Sequence, residues 1–485
     1  MTRFRWKSVV HILGVLAALI GVFMLLSIPF SLYFGEESWK DLLTSATVSI
    51  LIGGGAAGLT LKTKQEVRKR EGYLIVALGW VVLSLFGSLP YYLSGSIPIY
   101  TDAFFETMSG FTTTGATILS DIEAMPKGLL FWRSCTQWIG GMGMIVLAVA
   151  ILPILGVGGI QLFVAEVPGI SHDKLQPRIR ETAKRLWYIY TGLTLLLCGL
   201  LMSGGMSFFD GINHAFTTLA TGGFSIYNDS IHHFDSVYIQ YLITLFMFIG
   251  GTNFIMLFYL LNGKPRRLTD HEEFRFYVGI VLLTTILVAT ILIYQLDYPI
   301  EKAFRESLFQ VTAIVTTTGY YTVDFTTWGP ILSWLFVLLM FTGAMAGSTS
   351  GGMKLERHII VAKNSLLELK RLLHPSAIIP VRFNNKPVRS EITYNILAFV
   401  IMYVTIFGVG SFIMTLMGLD VTSAIGSVAS ALGNIGPGIG EVGPKGNYAG
   451  LPTEGKWFLA FLMMVGRLEL FTVLVLFTGY FWRRE

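Results

Sequence analysis

The chain has 485 residues, of which 53% are hydrophobic and only 13% charged, with a mean hydropathy of +0.63 and a formal net charge of +5. Too little polar surface remains to cover a water-soluble core of this size, so an ordinary soluble globular protein is excluded. The two cysteines, Cys135 and Cys198, both fall in apolar stretches. They exclude a disulfide framework, offer no metal-ligand spacing and read as small apolar fillers.

The first apolar run starts near Val9 after "TRFRWK" and reaches about Phe34, where "GEES" follows. It is longer than the core of a secretory leader and lacks a small-residue cleavage site, so a retained helix is expected. Further runs of about 20 apolar residues, each long enough to span a bilayer, predict spans near 43–61, 72–95, 129–155, 186–204, 236–261, 276–296, 330–362, 391–417 and 457–482. The first two spans form a hairpin. The other eight form four pairs, each pair holding a shorter, more polar segment that ends in a glycine motif. The expected fold is therefore an all-α polytopic membrane protein with four helix–pore-loop–helix repeats around a central ion pore, plus an N-terminal two-helix hairpin. The predicted division is 1–70 for the hairpin and 71–165, 166–263, 264–375 and 376–485 for the repeats. Weak internal symmetry of this kind is common where a membrane protein builds a pathway between repeats.

Lysine and arginine concentrate in 1–10, 62–70, 166–185, 262–275, 354–389 and 483–484, which hold 27 of the 35 in the chain. Ten spans with both termini cytoplasmic put all six segments on the inner side. The outer side is then acidic and able to concentrate cations. The inner basic segments suit anionic membrane lipids and a cytoplasmic partner; no nucleic-acid partner is indicated.

The four glycine motifs are "FTTTGAT", "LATGGFS", "VTTTGYY" and "LGNIGPG", with Gly115, Gly222, Gly319 and Gly436 separated by 107, 97 and 117 residues. Asp102, Asp210, Glu306 and Ser423 precede them by 13, 12, 13 and 13 residues and are expected to cap four short helices entering from the outer side. The negative ends of the helix dipoles would then face a common axis. Irregular backbone at membrane depth is tolerated where it lines a polar cavity. Thr113-Thr114-Gly115-Ala116, Ala220-Thr221-Gly222-Gly223, Thr317-Thr318-Gly319-Tyr320 and Asn434-Ile435-Gly436-Pro437 are accordingly candidates for a ring of carbonyls that replaces a cation's hydration shell.

These four loops, with the eight-span repeat around them, resemble the Trk/Ktr/HKT family of potassium transporters over essentially the whole chain. The extra N-terminal hairpin is similar to that of its bacterial Trk membrane subunits. The resemblance implies a pore formed within one chain, packed as a homodimer in the bacterial inner membrane. It further implies a cytoplasmic ring of nucleotide-binding regulatory subunits, and potassium preference from a glycine in every loop. Only the first and third loops carry a threonine triplet; the fourth has Asn434, Ile435 and Pro437. An asymmetric filter with fewer hydroxyl ligands is expected.

The eighth span is interrupted by "GAMAGSTSGGMK". Four glycines and three hydroxyl residues there argue against a continuous helix, and Gly343, Ala344, Gly347, Ser348, Thr349, Ser350, Gly351, Gly352 and Lys354 are expected to form a gating loop. In the resembled family the corresponding stretch has that role. Lys354 either repels cations or reaches to the interface. Arg467 stands within the last span, where a cation is costly and faces a cavity or bundle interior. The resemblance implies that it lies beside the gate.

Gly438-x-Gly440-x-x-Gly443 follows a pore loop, not a strand of a βαβ unit, and G-x-x-x-x-G-K at 450–456 is followed by Trp457 instead of Ser or Thr, so neither reads as a nucleotide site. His232 and His233 have no neighbouring ligands and read as outer-loop surface, while Glu106 and His214 fall in the short helices. No cofactor is expected in this chain, with potassium as its substrate. A membrane enzyme would need a His/Asp/Glu cluster at one interface, and none is evident. Passive potassium uptake is the leading expectation, with potassium–proton symport as the alternative.

Overall fold

A computed structural model describes residues 4–61, 69–141, 143, 179–377 and 379–483. The inner part of the expected span 129–155, the basic segment 166–178, most of 62–70 and the 165/166 boundary lie outside the described residues. The helices that position the site are α1 (Trp6–Met24), α2 (Trp39–Thr60), α3 (Lys69–Gly87), α4 (Tyr100–Phe111), α5 (Lys127–Gly141), α6 (Ile179–Ser203), α7 (Phe208–Leu219), α8 (Val237–Gly250), α9 (Phe254–Leu261), α10 (Glu272–Leu296), α11 (Ile300–Val315), α12 (Pro330–Met340), α13 (Leu355–Leu373), α14 (Ser390–Leu416), α15 (Val421–Gly433), α16 (Thr453–Arg467) and α17 (Leu470–Leu474). One short antiparallel pair, β1 (Arg382–Phe383) and β2 (Lys386–Pro387), turns through Asn384 and Asn385 at positive φ, a conformation asparagine tolerates well.

Among the described residues, six helical stretches are long and apolar enough to cross a membrane, and eight if two sharply bent pairs are included. Two predicted spans are corrected: they are not continuous. α8 and α9 meet at 106°, and α16 meets the following helical segment at 117°. At the first break Asn253 accepts hydrogen bonds from the Ile255 and Met256 amides and so starts a new helix. At the second, Glu469 has φ +59°, which no α-helix accommodates. The predicted interruption of 330–362 is present: α12 ends at Met340, α13 begins at Leu355, and irregular backbone lies between.

The N-terminal hairpin packs through glycine. A Cβ on Gly14 would lie 2.6 Å from the Gly53 carbonyl oxygen, and one on Gly53 would lie 2.5 Å from that of Gly14. The α1 and α2 backbones therefore touch directly, as small residues permit between apolar helices.

α4, α7, α11 and α15 are the four expected short helices. Their expected caps are corrected. The cap positions are Ile99, Ser207, Pro299 and Asp420, so Asp102, Asp210 and Ser423 each sit three residues inside the helix and Glu306 lies a full turn deeper than those. Ser207 accepts from the Asp210 amide and donates to its carboxylate, and Asp420 accepts from the Ser423 amide. An acid in the third helical position answers the cap reciprocally and favours the positive helix end, which is why it reads like a cap in the sequence. Asp102 is bonded instead to Lys456 Nζ, at 2.7 Å.

A ring of four loops as the candidate functional site

All four short helices end in the same way. The amides of Thr113, Thr221, Thr317 and Asn434 bond back to the carbonyls of Gly110, Thr218, Ile314 and Ala431. The next amides, of Thr114, Gly222, Thr318 and Ile435, reach the carbonyls of Ser109, Thr217, Ala313 and Ser430. This pair of bonds is the Schellman closure, which places its pivot residue in the left-handed region. The pivots are indeed left-handed, with φ of +53°, +51°, +56° and +55°. Three are threonine, for which that conformation costs roughly 1–3 kcal/mol and persists only where the surroundings enforce it. All four side chains are fully buried.

Two residues after each pivot comes a glycine at positive φ: Gly115, Gly223, Gly319 and Gly436. The register expected for the second loop is therefore corrected by one residue. Gly223, not Gly222, is the counterpart of the other three; Ala220 is still the end of α7, and Phe224 takes the place of Ala116, Tyr320 and Pro437. The four positive-φ glycines line one cavity of about 270 Å³, together with Ala116 and Pro437, whereas Gly222 does not line it. The Tyr320 hydroxyl turns back to Thr217.

The loops interlock in cyclic order. A Cβ on Gly115 would fall 2.2 Å from the Gly222 carbonyl oxygen, one on Gly223 1.8 Å from that of Thr318, one on Gly319 1.8 Å from that of Ile435, and one on Gly436 2.9 Å from that of Thr114. Glycine is required twice over at each of the first three positions, by its φ and by the carbonyl of the next loop. The result is a closed ring of carbonyl-bearing loops, each at the carbonyl-rich end of a helix.

Side chains from outside the loops hold the ring. Gln137 on α5 donates to the Gly222 carbonyl at 2.7 Å and accepts from the Phe224 amide at 3.0 Å. Ser430 and Tyr448 both donate to the Gly436 carbonyl, and Asn434 Nδ2 donates to Thr114 Oγ1 and to the Met463 carbonyl. Gln137, Ser430 and Tyr448 were not expected, because their partners are distant or irregular and leave no periodic signal.

Residues 343–354 meet the ring on the side of the left-handed pivots. The Gly351 amide donates to Thr317 Oγ1 at 2.7 Å, Thr221 Oγ1 donates to Thr349 Oγ1 at 3.3 Å, and a Cβ on Gly351 would fall 2.5 Å from that of Asn434. Thr349 Oγ1 donates to the Leu219 and Gly250 carbonyls. The loop closes on itself through the Gly343 amide to Met353, the Leu355 amide to Ala344, and Ser348 Oγ to the Met345 carbonyl and Ser350 Oγ. Gly347 and Gly352 supply positive φ. Glu273 on α10 accepts from the Ala346 amide within the loop and from the Glu356 amide just past it, and Asn253 donates to the Ala346 carbonyl. Lys354 Nζ folds back onto Ser350, bonding its carbonyl and its hydroxyl.

Arg467 is the last residue of α16, at the bend, not within a continuous span. Its guanidinium donates to the carbonyls of Thr349, Gly140 and Gly141 at 2.8, 2.8 and 3.1 Å. Glu469, past the bend, forms an ion pair with Arg357 of α13 at 2.5 Å. Among the described residues no group of three or more His, Cys, Asp or Glu side chains is arranged to hold a metal ion.

The family model for TrkH, described as a cation transport protein, matches residues 40–484. This chain belongs to the TrkH family. It is 40% identical to the Trk system potassium uptake protein TrkH of Halomonas elongata over 99% of both chains. It is 39% identical to the protein of that name from Escherichia coli K12, over 99% of this chain and all of the relative. The crystal structure of the potassium transporter TrkH from Vibrio parahaemolyticus superposes with a TM-score of 0.90 at 37% identity, covering 99% of this chain and all of that one. The family and the apolar helices together make the chain a multi-pass membrane protein of a transporter family, not an enzyme.

Proposed function

We propose that this TrkH-family chain takes up potassium across the bacterial inner membrane, by passive flux through the ring of four loops, with both termini cytoplasmic. The observation that carries the proposal is the cyclic interlock of Gly115, Gly223, Gly319 and Gly436 with the carbonyls of the neighbouring loops. Closely spaced backbone carbonyls at four helix C-termini stabilise a partly dehydrated cation without a formal negative charge. The related proteins named for potassium uptake favour potassium as the ion.

In this reading the potassium ligands come from Thr113, Thr114, Gly115 and Ala116, from Thr221, Gly222, Gly223 and Phe224, from Thr317, Thr318 and Gly319, and from Asn434 and Ile435, while the Gly436 carbonyl is taken up by Ser430 and Tyr448. Residues 343–354 are the gate, and Arg467 clamps it. The four glycine loops divide the chain into the repeats 71–165, 166–263, 264–375 and 376–485. A homodimer and a cytoplasmic nucleotide-binding regulatory ring complete the system.

The test is ion flux into vesicles holding the purified protein, under potassium and then sodium gradients, with the proton gradient clamped to zero. Potassium uptake exceeding sodium uptake is expected. Uptake that vanishes at zero proton gradient would replace the passive mechanism by symport, and absence of any cation flux would overturn the proposal.

A further inference from the structure

Behind the first two loops lies a buried ion pair that forms none of the ring. Arg133 Nε donates to Glu106 Oε1 at 2.7 Å, and the two side chains are 2% and 0% exposed. Glu106 also accepts from Thr117 Oγ1 and from the Ile118 amide, both at 2.9 Å, and so holds the segment leaving the first loop. Arg133 donates to the Ser225 carbonyl at 2.8 Å and lies 3.5 Å above the Phe224 ring, and so holds the segment leaving the second. A continuous chain of bonds therefore runs from the exit of the first loop, through two opposite charges, to the exit of the second.

The position of Glu106, nine residues before its glycine, is occupied by His214, Gln310 and Ser427 in the other three helices. His214 Nε2 bonds Ser225 Oγ at 3.1 Å, and Gln310 donates to the Val323 carbonyl at 3.1 Å. Each ties down only the exit of its own loop, and Ser427 bonds within its helix. Asp121 and Glu123 also meet Asn228 across the same two exits, but at the exposed surface; Arg133 and Glu106 are the buried charged link between them.

Removing two charges from water is expensive, and a pair that merely fills space is often replaced by apolar residues at no loss of stability. Here every bond the pair makes beyond itself is to the backbone or hydroxyls leaving two ring loops. We propose that Arg133 and Glu106 are positioning residues that set potassium-over-sodium discrimination by fixing the separation of the first and second loops. The inference rests on the reading of the ring as an ion filter. Potassium and sodium differ in radius by a fraction of an ångström. Whether discrimination comes from cage size or from the number of carbonyls in reach, it depends on how far two adjacent loops relax toward each other. The pair also leaves no net positive charge behind the cavity wall, which the buried Arg133 helps to line.

The experiment compares potassium and sodium flux in vesicles for the wild type, Glu106→Gln, Arg133→Lys and the doubly neutral Glu106→Gln/Arg133→Gln. Each is first checked to be monodisperse in detergent. The expected result is a potassium/sodium ratio about tenfold lower in all three variants, equivalent to ~1.4 kcal/mol of discrimination. In the double variant the charge is balanced but the ratio stays low, because the spacing is lost. A selective wild type with unaltered ratios in the folded variants overturns the role of the pair and leaves the filter standing; a wild-type ratio near one overturns the filter itself. If the arginine variants do not fold, Glu106→Gln, which keeps the shape of the side chain, decides alone. Its failure to fold would overturn the proposal by making the pair a requirement for folding.

Discussion

The Arg467 guanidinium donates to the Thr349 carbonyl at 2.8 Å, from the point where α16 bends, while the Thr349 hydroxyl bonds the last turns of α7 and α8. One arginine thus fastens the middle of the 343–354 loop to the carbonyls ending α5. Arg467→Ala removes the fastening and a positive charge together. Basal potassium flux in vesicles without any regulatory partner is expected to rise about tenfold or more, since charge-assisted bonds of this kind contribute roughly 1.5–3 kcal/mol each. Unchanged flux would count against a clamp.

Glu273 provides a second fastening, holding Ala346 inside the loop and Glu356 at the start of α13. Its acceptor oxygen is retained in Glu273→Gln and lost in Glu273→Ala. The alanine variant is expected to leak and the glutamine variant to remain close to wild type. Equal flux from the two would rule out the bonds to Ala346 and Glu356 as the cause.

The corrected register of the second loop separates two adjacent glycines. Gly223→Ala would drive a methyl to 1.8 Å from a backbone carbonyl at a φ that L-residues avoid. Gly222→Ala, at ordinary φ, would meet the Gln137 side chain at 2.4 Å. Selective potassium flux should be abolished by Gly223→Ala, whereas pairing Gly222→Ala with Gln137→Ser should recover part of it. Recovery of Gly223→Ala by the same second substitution would contradict the register.

The Arg357–Glu469 pair is mostly buried, and Arg357 also lies 3.9 Å over the Phe399 ring. Glu469→Ala removes this mostly buried ion pair, a loss of about 3 kcal/mol. The melting temperature in detergent should fall by several degrees, and Arg357→Met added to Glu469→Ala should restore most of it. A melting temperature unmoved by Glu469→Ala would mean that solvent already screens the pair.

The four-loop pattern is legible because a glycine just after a short helix, behind threonine in three of the four, recurs at near-equal spacing. The error at Gly222 was avoidable: Asp210 stands thirteen residues before Gly223, the spacing of Asp102 to Gly115 and of Ser423 to Gly436. At Asp102 and Asp210 the cap is hard to read in the sequence, because an acid in the third helical position and a cap favour the same helix end. The bends at Gly251–Asn253 and Leu468–Glu469 were hidden by the apolar residues on both sides, which satisfy any hydropathy window. Gln137, Tyr448, Glu273 and the Arg133–Glu106 contact were beyond reach, since each depends on which distant segment is brought alongside.

All four quadrants of the ring are encoded once, in a single polypeptide. In an assembly of four identical subunits, replacing the pivot threonine by asparagine would change every quadrant at a stroke. Here Asn434 alters one quadrant and leaves Thr113, Thr221 and Thr317 as they are. Single substitutions therefore change this ring one quadrant at a time, a route closed to a homotetramer.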